Sequence, residues 1–261
     1  CFDSATSTQV LEVLAPPPPE DFLVPAAAHT PGINETVWRT DLRIFNPCDE
    51  TVNVRIDYYP EGTNNSGSNT YFLQGDLGSK VTVIFDDIVQ EFPGIPGDDN
   101  KGSLHFSFDG GNGCTPLIVS RTYNDTPEGT FGQYVPAVPV LPLDQDRVFL
   151  TGLVDNFYYR TNVGLATFGP DNVGGIEATV YDEFGAQLGD TIPITVPGYS
   201  TRQLVEVVER AGILTDGPIS ARVDYVPEDD LGYSPGMIMN IDPGNALYYV
   251  DIVCVTLMPD G

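Results

Sequence analysis

Trp38-Arg39-Thr40-Asp41-Leu42-Arg43-Ile44-Phe45-Asn46-Pro47 is echoed by Tyr159-Arg160-Thr161-Asn162-Val163-Gly164-Leu165-Ala166-Thr167-Phe168-Gly169-Pro170. Each stretch opens on an aromatic and Arg-Thr, runs through an alternating apolar segment and ends in a proline turn. The offset from Trp38 to Tyr159 is 121 residues (159 − 38). The echo continues downstream, so the chain reads as a duplicated module of about 120 residues per copy, within the usual size of a domain.

Working outward, the first copy spans 22–142. Val52-Asn53-Val54-Arg55-Ile56-Asp57-Tyr58-Tyr59 alternates apolar and polar, as a half-buried strand must. Strands are also expected at Tyr71–Leu73, Val81–Phe85, Ser103–Phe108, Leu117–Tyr123 and Gln133–Val140. Asp86 to Phe92 carries apolar residues at Ile88, Val89 and Phe92, the spacing of one or two helical turns, and Pro93-Gly94 stops it. The second copy, 143–261, keeps the order. Ile176–Tyr181, Thr191–Val196, Ile219–Tyr225, Met237–Met239 and Tyr248–Leu257 read as strands, and Leu204–Gly212 as the short helix. Short strands separated by turn residues every 8–12 positions, with 27 glycines and 23 prolines, predict an all-β chain of two tandem β-sandwich domains of Ig-like or jelly-roll type, each with one short helix.

Residues 1–21 form a separate arm. Val10, Leu11, Val13 and Leu14 make a short apolar strand candidate, and Pro16 to Pro19 a stiff extended spacer. An apolar strand on such a spacer has to pack on something, and a neighbouring copy of the chain is one acceptor.

The net charge is −26, divided as −4 in 1–21, −9 in 22–142 and −13 in 143–261. A field of this sign repels nucleic acid and anionic lipid. It suits solubility, a salty medium or binding of Ca²⁺. Oxygen-rich turns offer Asp98 and Asp99, Asp144 and Asp146, and Asp229 and Asp230 as Ca²⁺ ligands, although none has EF-hand spacing. Apart from a possible Ca²⁺, no cofactor is expected. No stretch of 18 apolar residues exists, so no membrane-spanning helix is expected.

The four cysteines, Cys1, Cys48, Cys114 and Cys254, are widely spaced and form no CxxC pair. With only two lysines, they suit an exported protein with disulfides. Cys48 and Cys114 both fall in turns of the first copy and are the expected pair. Cys1 and Cys254 are left to join within one chain or between chains, or Cys1 carries lipid. Asn34, Asn64 and Asn124 head glycosylation sequons, all expected in loops.

No GxSxG, HExxH or phosphate-binding loop is present. His29 is expected in a loop and His105 on a strand surface. Arg39 and Arg160 occupy equivalent positions and read as structural partners of carboxylates. Tyr58, Tyr59, Tyr158 and Tyr159 are candidates for sugar stacking if exposed, or core residues if not.

Phe22-Leu23-Val24-Pro25-Ala26-Ala27-Ala28-His29, Trp38-Arg39-Thr40-Asp41-Leu42, Ser120-Arg121-Thr122-Tyr123-Asn124 and Gly129-Thr130-Phe131-Gly132-Gln133 together resemble a module of uncharacterised exported bacterial proteins. The resemblance covers the first copy well and the second in outline, since the second lacks the Gly-Thr-Phe-Gly-Gln stretch. It implies a secreted β-sandwich and brings no activity with it.

The expected function is a non-enzymatic extracellular or cell-surface subunit of a filament or surface assembly, a homo-oligomer joined by exchange of the 10–14 strand. The alternatives are a Ca²⁺-dependent or glycan-binding adhesin and, third, a hydrolase.

Overall fold

The computed structural model describes residues 21–32, 36–67, 71–126, 129–140, 147–153, 159–160, 163–204, 219–225, 246–250 and 256–257. The arm with its 10–14 strand, Cys1, Cys254, Asn34, Asp144, Asp146, Tyr158, Asp229, Asp230 and the expected strand at 237–239 lie outside the described residues; of the helix expected over 204–212 only Leu204 is described, and it ends a strand.

In chain order the strands are β1 (Asp21–Pro31), β2 (Val37–Phe45), β3 (Val52–Pro60), β4 (Tyr71–Leu77) and β5 (Thr82–Phe85), then helix α1 (Ile88–Glu91). Next come β6 (Asn100–Gly110), β7 (Leu117–Thr126), β8 (Gly129–Pro136) and β9 (Val138–Pro139). The second set is β10 (Arg147–Leu153), β11 (Tyr159–Arg160), β12 (Val163–Phe168), β13 (Val173–Tyr181), β14 (Gln187–Val196), β15 (Thr201–Leu204), β16 (Ile219–Tyr225), β17 (Ala246–Val250) and β18 (Thr256–Leu257). The chain is all-β, built as antiparallel sandwich sheets, with one short helix among the described residues.

In the first set, a front sheet has the order β4-β3-β6-β1, with β9 beside β1. A back sheet has the order β5-β2-β7-β8. β1 belongs to both, because Asp21–His29 pairs with β6 and Thr30–Pro31 pairs with β2. A strand that changes sheets closes one corner of a sandwich. Pro25 has no N–H to give a ladder, and it falls inside the register shift between Val24 and Ala27, where none is required. His29 is therefore on a strand and not in a loop, since the bulge lets the ladder continue past the proline. Its Nδ1 donates to Asp87 Oδ2 at 2.6 Å and ties β1 to the start of α1.

Between the two sheets lie Val24, Leu42, Ile44, Val54, Ile56, Leu104, Phe106 and Val135, capped by Ile88, Val89 and Phe92 of the helical turn. Each such side chain contributes roughly 1.5–3 kcal/mol by leaving water. Cys48 and Cys114 are bonded (Cα–Cα 5.7 Å), closing a span of 66 residues. This pins the turn after β2 to the turn before β7.

The second set repeats the order. β14-β13-β16-β10 matches β4-β3-β6-β1, and β15-β12-β17 matches β5-β2-β7. The β11–β18 ladder (Tyr159↔Leu257, Arg160↔Thr256) extends that of β12 and β17. Its core is Leu150, Leu153, Val163, Leu165, Ile176, Ala178, Val180, Ile194, Val196, Ile219, Ala221 and Val223. Even the turn before the fifth strand recurs. Lys80 (φ 59) and Tyr199 (φ 43) both hold left-handed backbone. Asn46 N donates to Val81 O at 2.9 Å, and Thr167 N donates to Ser200 O at 2.9 Å. Asn46 Nδ2 and Thr167 Oγ1 then satisfy carbonyls of the same turn, at Leu77 and Pro197.

Replacing both Cys48 and Cys114 with alanine should lower unfolding free energy by about 3–4 kcal/mol, through the loop entropy released to the unfolded chain. Urea titration with and without reductant checks this. Reductant should shift the midpoint of the native chain by more than that of the variant.

Candidate functional site at the junction of the repeats

Part of the outward face of the front sheet is shut off from water. Leu23, His105 and Asp57 form one ladder row across β1, β6 and β3, and Tyr59 lies two residues beyond Asp57. This face is covered by the outward face of β12 and the turn before β15. Leu23, Val138 and Val140 pack on Ala166 and Phe168. The His105 ring lies 4.4 Å from that of Phe168, Tyr59 stacks on Tyr199 at 5.2 Å, and Phe168 meets Tyr199 edge-on at 5.8 Å. β12 is consequently buried on both sides over Val163–Thr167.

The loop after β3 seals the rim. Gly62 N donates to Thr201 O (3.1 Å) and Asn65 N to Gly198 O (2.9 Å), while Gln203 N donates to Glu61 Oε1 (2.8 Å). The loop thus lies along the outer edge of β15 and supplies partners that an edge strand otherwise lacks. Asn65 is buried, and its Nδ2 donates to the carbonyls of Pro60, Thr63 and Tyr199 at 2.9, 3.0 and 2.6 Å. Asn64 Nδ2 donates to Pro170 O and Asn172 Oδ1, and Ser200 Oγ donates to Pro60 O at 3.0 Å. Gly198 is required here: a Cβ on it would stand 2.1 Å from Pro170 O.

Several residues singled out in the sequence meet at this junction. His105 is buried rather than on a strand surface, because the second set of strands covers its side of the sheet. Its Nε2 is 3.3 Å from Asp21 Oδ1 and its Nδ1 4.0 Å from Asp57 Oδ2. Asp57 is held by Arg55, whose Nε and Nη2 donate to it at 2.8 and 2.6 Å. Tyr59 is buried here and Tyr58 is buried in the first core beside Phe92, so neither ring is presented to a sugar. Burial raises both phenols well above the ordinary tyrosine range. The junction was not legible in advance because Asn65, Gly198 and Tyr199 look like ordinary turn residues. The one sequence signal was the near-unbroken apolar run of β12, where a one-sided strand would alternate.

Other candidates lie apart. Asp99 Oδ1 accepts from Thr30 Oγ1 at 2.5 Å, and Asp99 lines an open depression with Tyr58, Pro60, Glu61, Asn100 and Lys101. Asp98 is exposed beside it. No group of three or more His, Cys, Asp or Glu among the described residues is placed to hold a metal ion. Asp87 is partly buried, and this desolvation raises its pKa in spite of the His29 hydrogen bond. Asn124 sits within β7 opposite Trp38, not in a loop. A glycan on Asn64 would occupy the nitrogen that bonds Pro170 and Asn172. Arg39 Nη1 lies 3.7 Å from Asp125 on the exposed back sheet. No helix among the described residues is long and apolar enough to cross a membrane.

No family model and no curated protein matches the chain. Among solved structures, Thermotoga maritima 1070 is similar at 14% identity, over 46% of this chain and 94% of that one, with a TM-score of 0.35. A likeness of that size carries no argument.

Asn65→Ala strands three carbonyls and should cost about 2–4 kcal/mol, and Gly198→Ala should act in the same direction. Scanning calorimetry should then show one transition splitting into two; a single unshifted transition would mean that the junction does not couple the halves. The raised phenols make an alkaline prediction. A group whose pKa is raised on folding contributes stability that is complete below its unfolded value, about 10 for tyrosine. This stability is lost as pH climbs toward the folded value. Absorbance at 295 nm should show Tyr58 and Tyr59 ionising only together with unfolding above about pH 10, and Tyr59→Phe should weaken that step.

Proposed function

We propose that the protein is a non-enzymatic structural subunit of an extracellular filament or surface assembly. The observation that supports this most is the sealed junction. Sheet face on sheet face, closed by a hydrogen-bonded rim, makes two repeats behave as one stiff body, and stiffness over repeated units is what an assembly subunit needs. The cores are filled by aliphatic and aromatic side chains, and both histidines are committed to braces with carboxylates or rings. The Cys48–Cys114 bond suits an oxidising compartment, as in the exported proteins that the first repeat resembles. In this reading the arm, with Val10, Leu11, Val13 and Leu14, is a donor strand for a neighbouring subunit. Cys1 and Cys254 are then candidates for a covalent joint between copies.

Light scattering of the full chain beside a version lacking residues 1–20 tests both parts. The expected result is large species that shrink when the arm is removed, with circular dichroism unchanged. A full chain that stays monomeric at every concentration sinks the assembly reading. Polymers that persist without the arm sink strand donation alone.

A further inference from the structure

The two ends of the tandem are asymmetric, and this asymmetry has a direction. Within the chain, the front sheet of the first repeat covers β12 and the turn before β15, in the back sheet of the second. Two faces of the same types are left over. One is the back sheet of the first repeat, β5-β2-β7-β8. The other is the front sheet of the second repeat, β14-β13-β16-β10. The exposed large apolar side chains fall on them. Ile84 (57% exposed), Leu117 (58%), Val119 and Tyr134 project from the first, with Val81 at its rim. Register places Ile84 and Val119 on either side of Arg43, Leu117 opposite Phe45, and Tyr134 opposite Arg121. Phe149 (64%) projects from β10 on the second face, and Phe184 (86%) from the tip of the β13–β14 turn. Among the described residues, the remaining exposed large apolar side chain, Phe72, lies under the Arg55 guanidinium at 4.3 Å.

The leftover faces match the parts of the internal junction. Phe149 lies in an outward row with Arg222 and Thr179 on the second front sheet, as Leu23 lies with His105 and Asp57 on the first. The β13–β14 turn is the counterpart of the β3–β4 loop that seals β15. It is held rigid by Asp182 Oδ1, which accepts from the backbone N–H groups of Phe184 and Ala186. The turn at Lys80 and Val81 is the counterpart of the Tyr199 turn that receives that loop. Charge agrees with the match. On the first face Arg39 and Arg43 stand beside Asp125, Asp41 and Asp86, with Arg121 on the same face. On the second, Arg147 and Arg222 share Asp224. In a chain of −26, these faces let two copies approach without the repulsion found elsewhere.

We propose that the occupant of the first back sheet is a second copy of this chain, seated through its own second front sheet, so that the internal junction is repeated between molecules. Such a contact is heterologous and does not close on itself, so it propagates head to tail. The proposal rests on the assembly reading and adds a face-to-face contact to it. Phe184 of one copy meets the Lys80–Val81 turn of the next, and Phe149 meets the surface formed by Phe45, Leu117, Val119 and Ile84.

The test uses full-length variants with one end blocked: Leu117→Asp with Val119→Asp, and Phe149→Asp with Phe184→Asp. All four residues are exposed, so the fold should survive. The arm and the faces act at the same joint, so that neither holds it alone, and by sedimentation velocity each variant alone should fall from the polymer to the monomer mass. A 1:1 mixture should form a species of twice the monomer mass and no larger, because each variant keeps the end that the other lacks. A mixture that stays monomeric overturns the proposal, as does either variant assembling like the native chain. Native chain that assembles while both variants also assemble rejects this contact and leaves the assembly reading standing; native chain that never assembles rejects both.

Discussion

Everything in this molecule depends on a sheet face that water does not reach. Leu23, His105, Asp57 and Tyr59 occupy outward positions of a sandwich sheet, where polar residues normally face solvent. Here they are covered, so their polar atoms need partners inside the protein. Arg55 answers Asp57, and the Phe168 and Tyr199 rings cover His105 and Tyr59. The amide of Asn65 closes the rim by giving its hydrogens to carbonyls from both repeats. Separating the halves would expose apolar rings and strand those carbonyls at the same time. The cost of both steps makes the pair a single mechanical unit.

The two sets of strands share one order, and their outward residues differ. Inward positions barely change in character: Leu42 and Ile44 of β2 correspond to Val163 and Leu165 of β12. Outward, Arg43 and Phe45 correspond to Gly164 and Ala166, and Lys80 to Tyr199. Small residues appear where the first repeat settles on the second, and an aromatic appears where Tyr59 needs a stacking partner. The same sheet in the first repeat keeps large side chains in contact with water. One fold therefore carries a covered face in one copy and an open face in the other.

The acidity of the chain fits this arrangement. Most of the chain's charge is negative, whereas on the two open faces arginines stand beside carboxylates and bring the local charge closer to balance. Exposed ion pairs of this kind contribute little to folding stability, on the order of 0–1 kcal/mol each. Their effect is better understood as local neutralisation of the field around the apolar side chains.

The sequence by itself determined the strand content, the helical turn at Ile88–Glu91 and the Cys48–Cys114 pairing. These follow from local rules: side chains alternate along a strand, prolines and glycines end elements, and two cysteines in turns of one copy can meet. Proline made β1 hard to recognise, because the bulge that accommodates Pro25 depends on β6. Only the tertiary structure decided that His105, Tyr58 and Tyr59 are buried and that Asn65 and Gly198 form a seal. A side chain's outward position is a property of its strand, but whether that position meets water depends on what another part of the chain lays over it. Alternation within one strand carries no information about that second surface.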